Sequence, residues 1–481
     1  MPENQNQKTR LDRPQFLLLA VMVVAAFVLI LNETLLGVAL PYIMEDLSIS
    51  ASTAQWASTG FMLTMAVVTP AAGFIISRYS IRTVFVAAMT LFSLGTLVAA
   101  TAPSFLFLLL GRILQAGGTG VMIPLLMTTM MRLVPPSRIG QAMGIVGMVI
   151  SAAPAAGPTV SGIILNMASW HWLFWLILPI GLVALALGIR LAPATAPAGS
   201  DQKLDLLSIL LSTLGFGGLV LGLSSMGGDS SHGGAQLPVN PWVLIVISAA
   251  IIALFVWRQI QLQDRGPFMD MRIFRSFPFT LTVIMSAVGM GVMLGTATII
   301  PLYTSKVLGM DALQTGLLLL PGGVLMAVLS PFVGRMSDKL GARSLVIPGA
   351  LLFSTSIWLM SAFNSNTQAW QIAAAYILMT LGLPLINTPM MSLGLGSLSQ
   401  ELQAFGSSAM TTFQQVAGAA ATALFVALLS LGAGQGEGAE AYMAGVHLAF
   451  LVAAGLSLAS VLVSFLVPKG KAAAGGAPMA H

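Results

Sequence analysis

The sequence predicts an all-α protein that spans a membrane many times. Of its 481 residues, 57% are hydrophobic and only 7% are charged, and the mean hydropathy is +0.93. Soluble domains contain about 25% charged residues, so this chain has too few charges to cover a water-exposed surface. Apolar runs of about 20 residues, the length that crosses a hydrocarbon core of roughly 30 Å, recur along the whole chain. We therefore predict a polytopic membrane protein.

Fourteen apolar runs are long enough to span the bilayer. The predicted spans are residues 16–40, 56–76, 83–101, 105–130, 140–164, 171–191, 206–224, 240–258, 279–300, 313–334, 345–362, 370–395, 406–430 and 443–467. The first run is too long for the core of a signal peptide, and no small-residue cleavage site follows it. We therefore expect it to be retained as a transmembrane helix.

The positions of the charges predict the orientation. Eighteen of the 20 Lys and Arg residues lie in the tails or in alternate loops, whereas the intervening loops hold only Lys306 together with six acids. The positive-inside rule then places both termini in the cytoplasm. The net charge of +5 reflects this topology, so we predict no nucleic-acid partner. The chain contains no cysteine, which excludes disulfides and thiolate metal sites.

A short repeat divides the chain into two halves. Residues 73–82 (GFIISRYSIR) and 334–343 (GRMSDKLGAR) share the pattern G-x-x-x-[S/D]-[R/K]-x-[S/G]-x-R and follow the second and tenth spans. Its key positions are Gly73, Arg78, Arg82, Gly334, Asp338 and Arg343. Parallel six-helix repeats are a known transporter architecture. We predict a six-helix bundle (1–191), a linker with two additional transmembrane helices (192–278), a second six-helix bundle (279–467) and a disordered tail (468–481).

Two charged residues lie well inside spans, Glu33 in the first and Arg112 in the fourth. At 1.5 Å rise per residue, both lie about 12 Å below the same membrane boundary. Intramembrane charges usually face the bundle interior and have a partner or a water-filled cavity. Two interpretations remain open: a fixed ion pair that locks two helices, or a site where Glu33 takes up a proton on one side of the membrane and releases it on the other. A third is that the spans are drawn wrongly.

Further residues that could contact a substrate lie near Glu33 and Arg112 or on neighbouring spans. Gln115 lies three residues after Arg112, on nearly the same helix face. We assign a substrate cavity to Asn32, Thr34, Phe61, Gln115 and Met122.

The fifth span contains the run PAAGPTVSG at 154–162, with Pro154, Gly157, Pro158 and Gly162. Proline removes a backbone donor and bends a helix, and small residues allow close helix approach. One explanation of this run is tight helix packing. The other is that it fixes the position of the hinge between the two halves.

These motifs resemble those of the fourteen-helix drug:proton antiporters of the major facilitator superfamily. The loop at 334–343 is similar to the superfamily's loop signature, "GRILQAGGTG" (111–120) to its fourth-helix motif, and 154–162 to its antiporter motif. "WHWLFWLILPIG" (170–181) and "PFMDMRIF" (267–274) support the same resemblance. The first helix, "LILNETLLGVALP" (29–41), resembles the lincomycin-resistance exporter subgroup.

The chain departs from the family pattern at five positions, two of which are Gly37 in the place of an asparagine and His171 in the place of an arginine. Asn32 occupies the place of the family's first-helix aspartate, which leaves the acid one residue later, at Glu33. In the first copy of the loop signature, Ser77 replaces the aspartate and Ser80 replaces the glycine. A gating contact through an acid is therefore expected only from Asp338.

The resemblance implies a secondary transporter, not an enzyme. We expect proton-driven efflux of amphipathic antimicrobials by alternating access, with Glu33 as proton carrier and Arg112 as its modulator. The proton would be the coupling ion, and no cofactor or metal is expected. The remaining expected partners are small-molecule drugs and the lipid bilayer, and we expect the protein to function as a monomer. Export of an endogenous metabolite or a metal–drug chelate is the alternative. A membrane enzyme or a sensor is disfavoured because no phosphate-binding loop, catalytic constellation or appended soluble domain is found.

Overall fold

The fold is entirely helical over the part of the chain that can be described. The computed structural model describes residues 12–194, 205–226, 240–263, 266–433 and 439–468, and these ranges contain no strand. Fourteen helices in them are long and apolar enough to cross a membrane, which confirms the predicted fold class. Residues 195–204 and 227–239 of the predicted linker region, and nearly all of the predicted disordered tail (469–481), lie outside the described residues.

The spanning helices are numbered in chain order. They are α1 (Arg13–Asp46), α2 (Ala51–Arg78), α3 (Ile81–Ala100), α4 (Phe105–Leu133), α5 (Ile139–Met167), α6 (His171–Leu191), α7 (Leu206–Ser212 and Gly218–Met226, joined by the π-helical turn Thr213–Gly217), α8 (Pro241–Gln261), α9 (Phe277–Lys306), α10 (Ala312–Leu340), α11 (Ala342–Ser361), α12 (Ala369–Gly396), α13 (Gln400–Ala433) and α14 (Ala439–Ser464). We call the face at which α1 begins and α14 ends the terminal face.

Side-chain caps mark where several helices begin. The hydroxyl of Ser50 accepts a hydrogen bond from the amide of Thr53 at the start of α2, and Asp311 caps α10. Such caps satisfy amides that have no partner within the helix. Several helices extend beyond the predicted spans, as α1 does by continuing through Pro41 to Asp46. Hydropathy reports only the hydrocarbon-buried part of a helix, whereas its hydrogen bonds continue into the interface.

The two halves repeat the same helix packing. In the first half α1 packs on α5, α2 on α4, and α3 on α4 and α6; in the second half α9 packs on α13, α10 on α12, and α11 on α12 and α14. The same small-residue contact recurs in both. A Cβ on Gly118 would lie 2.3 Å from the carbonyl oxygen of Ala88, and one on Gly382 would lie 2.8 Å from that of Gly349. Glycine lets these backbones approach closely.

Across the two halves, α5 contacts α10 and α12, and α13 contacts α2 and α4. The additional helices α7 and α8 pack on each other, and α7 lies against α2 and α13. They therefore flank one of the two places where the halves meet.

The additional helices are tied to the segment that follows them by buried polar contacts. Gln259 on α8 is fully buried; its amide nitrogen donates to Ser208 (2.7 Å) and its oxygen accepts from the amides of Phe268 (2.8 Å) and Met269 (3.1 Å). The ring of Phe268 lies 6.2 Å from that of Phe74 on α2. This segment therefore packs against the terminal end of α2.

An ion pair joins the start of α7 to the end of α8. The carboxylate of Asp205 accepts from Arg258 Nε at 2.7 Å and Nη2 at 2.9 Å, and it also accepts from the amide of Ser208. The hydrogen bonds from Arg258 lower the pKa of the Asp205 carboxyl to about 2. Because this pKa lies below the usual value of about 4, the pair stabilises the fold above pH 4 and is lost as the pH falls toward 2.

We predict that Asp205→Asn destabilises the protein modestly at pH 7, by up to about 1 kcal/mol, because it removes a partly exposed ion pair but keeps a helix cap. Asp205→Ala should cost about 1 kcal/mol more, since it removes the cap as well. Thermal unfolding of the purified variants measures both effects. The deficit of the Asn variant should shrink between pH 4 and pH 2, and a deficit that stays constant over that range would contradict the ion-pair assignment.

Candidate functional site

The site is centred on Arg112 of α4, whose side chain is 1% exposed inside the first half. Its Nη1 donates to the backbone oxygen of Asn32 (3.3 Å) and to Gln115 Oε1 (3.1 Å), and its Nε donates to the backbone oxygen of Ala57 (3.4 Å). The guanidinium lies over the ring of Phe61, 4.1 Å from the centroid. All these partners are neutral. The cation is therefore held by dipoles and an aromatic face rather than by a carboxylate.

Gln115 connects Arg112 to two further helices. Its amide nitrogen donates to Thr96 Oγ1 on α3 at 2.9 Å and to Asn32 Oδ1 on α1 at 3.5 Å. These bonds leave its oxygen directed at the guanidinium. The side-chain nitrogen of Asn32 is buried and has no partner. Together these contacts link α1, α2, α3 and α4 around one buried charge.

Glycines bring α3 and α4 close enough for this cluster to form. A Cβ on Gly95 would lie 2.5 Å from the carbonyl oxygen of Gly111, and one on Gly111 would lie 2.7 Å from that of Gly95. Gly111 directly precedes Arg112. Because neither position has room for a side chain, the backbones touch and Gln115 reaches Thr96.

Glu33 lies beside this cluster but not in it. Its side chain is half-buried, and no ion pair at 4.0 Å or less joins it to Arg112 among the described residues. One residue along a helix is a rotation of about 100°, and it is Asn32 whose oxygens accept from Arg112 and Gln115. The fixed ion pair, one of the two interpretations of the sequence, is not formed in this structure.

Helix α5 packs against α1 immediately after Glu33. A Cβ on Gly157 would lie 2.1 Å from Thr34 Oγ1, and the hydroxyl of Ser161 donates to the backbone oxygen of Leu35 at 2.9 Å. Only glycine fits at position 157, which supports the tight-packing explanation there. A Cβ on Gly162, in contrast, would meet nothing within 4 Å. Helix α5 continues through both Pro154 and Pro158, and the hinge role stays a prediction.

The residues assigned to a substrate cavity differ in how deeply they are buried. Asn32, Phe61, Gln115 and Met122 are at most 1% exposed, and Thr34 is half-buried against α5. The first four lie inside the helix packing in this conformation, so their cavity role stays a prediction.

Sequence analysis missed two members of the Arg112 cluster. Ala57 contributes only a backbone oxygen, which no side-chain pattern reveals. Thr96 is one of two polar residues in the apolar stretch 91–99, and this polarity is the signal by which the sequence could have indicated it.

The second half has an apolar counterpart of this cluster. Arg112 lies six residues before Gly118, and Tyr376 lies six residues before the matching Gly382; Phe61 and Gly322 each precede the loop-signature glycine by twelve residues. The ring of Tyr376 packs over Gly322, where a Cβ would lie 2.6 Å from it. The Arg–Phe pair of the first half is thus replaced by a Tyr–Gly pair. Among the described residues of the second half, no charged side chain is buried at this place.

The second loop signature joins the halves at the terminal face. Asp338 Oδ1 accepts from the amide of Gly140 at 2.7 Å, and its Oδ2 accepts from that of Gln141 at 3.0 Å. These amides belong to the first turn of α5, where free N–H groups and the helix dipole favour an anion. Gly334 lies against Gly140, since a Cβ on it would be 2.2 Å from the Gly140 oxygen.

The first loop signature makes no such bond, and the structure gives the reason. The hydroxyl of Ser77 donates to Phe74 of its own helix, and Gly73 packs against Ala404 and Phe405. Ala404 takes the place of Gly140, but α13 begins four residues earlier, at Gln400. The amide of Ala404 is therefore inside a helix and has no need of an anion.

Ser80 also has a structural explanation. At the matching position, Gly341 has φ +82°, a left-handed conformation that favours glycine. Ser80 has φ −63° and instead caps α3 by accepting from the amide of Thr83 at 3.1 Å.

The arginines of the two signatures contact neighbouring aromatic rings or the segments that follow α6 and α14. Arg78 lies over the rings of Phe74 and Tyr79, the amide of Arg82 donates to Pro193, and Arg343 Nη1 donates to the backbone oxygen of Val467 at 3.2 Å.

Twelve spanning helices arranged as two equivalent halves, with two additional helices beside them and a cation buried in one half, are typical of a multi-pass integral membrane transporter. The chain belongs to the Major Facilitator Superfamily, whose family model matches residues 22–422.

The relatives and neighbours agree with this assignment. The chain is 39% identical to the uncharacterized MFS-type transporter YcnB of Bacillus subtilis (strain 168) over 456 residues, which cover 94% of this chain and 95% of YcnB. It is 35% identical to the lincomycin resistance protein LmrB of Listeria monocytogenes over 464 residues, 94% of this chain and 97% of LmrB. Its fold resembles the proton:xylose symporter XylE with a TM-score of 0.67 at 13% identity, covering 95% and 97% of the two chains.

We predict that Asp338→Asn impairs transport turnover more than Ser77→Ala. The first change removes a charge that binds two helix-terminal amides, and such charge-assisted bonds contribute about 1.5–3 kcal/mol. The second removes a bond within one helix. Initial transport rates in proteoliposomes, compared at equal amounts of folded protein, measure the difference. An equal or larger defect in the Ser77 variant would contradict this assignment of the two signatures.

Proposed function

We propose that this protein is a proton-coupled exporter of amphipathic antimicrobials in the bacterial inner membrane, with both termini in the cytoplasm. The names of relatives such as LmrB support export of antimicrobial compounds. The coupling proposal rests on Glu33. Among the described residues it is the only carboxylate in the middle of a spanning helix, and it is half-exposed with no counter-ion within 4.0 Å.

Such a carboxyl suits proton exchange better than a fixed ion pair does. Its partial exposure gives water or a substrate access to it, and Arg112 nearby influences its charge without binding it directly. Because Arg112 donates to the backbone of Asn32, a shift of α1 changes the relation between the carboxyl and the guanidinium. A drug that enters the site competes with the proton, by its own positive charge or by displacing water from the acid.

Alternating access has support from where the halves touch. The contacts of Asp338 with Gly140 and of Gly73 with Phe405 lie near the ends of helices at the terminal face. Near the opposite face, a Cβ on Gly162 of α5 or on Gly316 of α10 would meet nothing within 4 Å. We infer from these contacts a state that is closed at the terminal face, which is the predicted cytoplasmic side.

The proposal needs no cofactor beyond the proton, which is the coupling ion, and it treats a single chain as the working unit. Export of an endogenous metabolite or a metal–drug chelate by the same mechanism is the second candidate. A panel of antibiotics and cationic dyes, assayed for proton release from proteoliposomes, separates these candidates.

We predict that Glu33→Gln abolishes drug-induced proton movement, because the amide cannot carry a proton across the cycle. Proteoliposomes with a pH-sensitive dye inside measure it. Glu45→Gln, which changes an exposed acid at the end of the same helix, is the matched control and should behave like the wild type. If the Glu33 variant still exports drugs when driven by a pH gradient, the coupling role is wrong.

We predict that Arg112→Ala loses transport and that the conservative Arg112→Lys keeps part of it with a changed pH profile. A lysine retains the charge but cannot reach Asn32, Ala57 and Gln115 together. Transport rate measured against pH tests this. A pH profile unchanged in the Lys variant would indicate that Arg112 has only a structural role.

A further inference from the structure

The halves meet at the terminal face along two seams of different chemistry. The acid seam joins α5 to α10 through Gly140, Gly144, Ser330, Gly334 and Asp338. The hydroxyl seam joins α13 to α2 and α4 through Thr69, Pro70, Pro124, Thr128, Ser407 and Ser408.

Two serines of α13 make all the side-chain bonds of the hydroxyl seam. The hydroxyl of Ser408 donates to the backbone oxygens of Thr69 and Pro70, the latter at 3.3 Å. Ser407 Oγ lies 2.8 Å from Thr128 Oγ1 and 3.2 Å from the backbone oxygen of Pro124. Both serines are at most 1% exposed. Hydrogen bonds excluded from water in this way hold the second half against the first.

The acid seam has a glycine, Gly144, at the place that Ser408 occupies in the hydroxyl seam. Thr69 and Ser330 each precede their loop-signature glycine by four residues. The backbone oxygen of Thr69 accepts a hydrogen bond from Ser408. The backbone oxygen of Ser330 faces Gly144 instead, and a Cβ on Gly144 would lie only 2.4 Å from it. One seam is therefore closed by a carboxylate on helix amides, and the other by hydroxyls on backbone oxygens.

When the hydroxyl seam opens, Ser407 keeps a hydrogen-bond partner in its own helix. Ser407 Oγ also lies 3.0 Å from the backbone oxygen of Ala404, one turn earlier in its own helix. Serine hydroxyls in helices readily bond to such oxygens. When the halves separate, Ser407 keeps this partner, whereas the Asp338 carboxylate loses two amides and must be hydrated.

We propose that Ser407 and Ser408 form a second gate that holds the terminal face closed independently of any protonation event. The proposal rests on alternating access in the proposed function, but not on proton coupling or on the identity of the substrate. The gate contains no ionisable group, so its contribution to closure is the same at every pH at which the protein is folded.

The chain offers a direct test because it contains no cysteine. Tyr79→Cys and Glu401→Cys introduce labelling sites at exposed positions near the terminal ends of α2 and α13. Pulsed electron paramagnetic resonance between spin labels at these sites measures the separation of the two helices in purified full-length protein, without substrate or gradient.

We predict that Ser407→Ala with Ser408→Ala raises the ratio of open to closed populations, by about fivefold for each neutral hydrogen bond lost. Thr128→Val, which removes the partner of Ser407 from the other half, should produce the same change to a smaller extent, so the test does not depend on one variant folding.

Thr412→Val is the matched control, since this buried hydroxyl on α13 donates only to Ser408 of its own helix. It should leave the distances unchanged. The shift caused by the serine substitutions should be equal at pH 5.5 and pH 8 and should persist with Glu33→Gln, which separates this proposal from proton coupling. Unchanged distances in the serine and Thr128 variants, an equal shift in the Thr412 control, or a shift that depends on pH would each overturn it.

Discussion

Burial of the Arg112 guanidinium is the requirement around which the first half is built. A charge in the bilayer is unfavourable by several kcal/mol unless dipoles surround it, and here α1, α2 and α4 supply them. The backbone oxygens of Asn32 and Ala57, the amide of Gln115 and the face of Phe61 all point at one side chain. The close approach of α3 and α4 through Gly95 and Gly111 follows from the same requirement, because Gln115 needs Thr96 as its own partner.

The two halves share a backbone arrangement but not its chemistry. Where the first half has Arg112 over Phe61, the second has Tyr376 over Gly322. Where α10 meets α5 an acid caps a helix, and where α2 meets α13 serines donate to backbone oxygens. The additional helices lie beside the hydroxyl seam, since α7 contacts α2 and α13. A repeated fold therefore carries a charged and an uncharged version of the same two contacts.

A large part of this arrangement was predictable. Fourteen spans follow from hydropathy, because each must fill the bilayer with its own apolar residues. The shared depth of α1 and α4 at Glu33 and Arg112 follows from the rise per residue, and the structure brings α4 into contact with Asn32 at that level. The sequence also indicates that only the second loop signature can make a contact through an acid, because the first copy has Ser77 where the second has Asp338. The sequence does not explain why a serine suffices at position 77, since the reason depends on where α13 begins relative to α2.

The sequence by itself determined which segments span the membrane, which two charges lie deep inside it, and which copy of the loop signature can use an acid. These properties depend on local composition and spacing. Only the tertiary structure decided that Asn32 rather than Glu33 accepts a hydrogen bond from Arg112, that four expected cavity residues are buried in helix packing, and that Ser407 meets Thr128. Each of these depends on the rotation of one helix against another, and partners as distant in the chain as Thr128 and Ser407 meet only when both halves have packed.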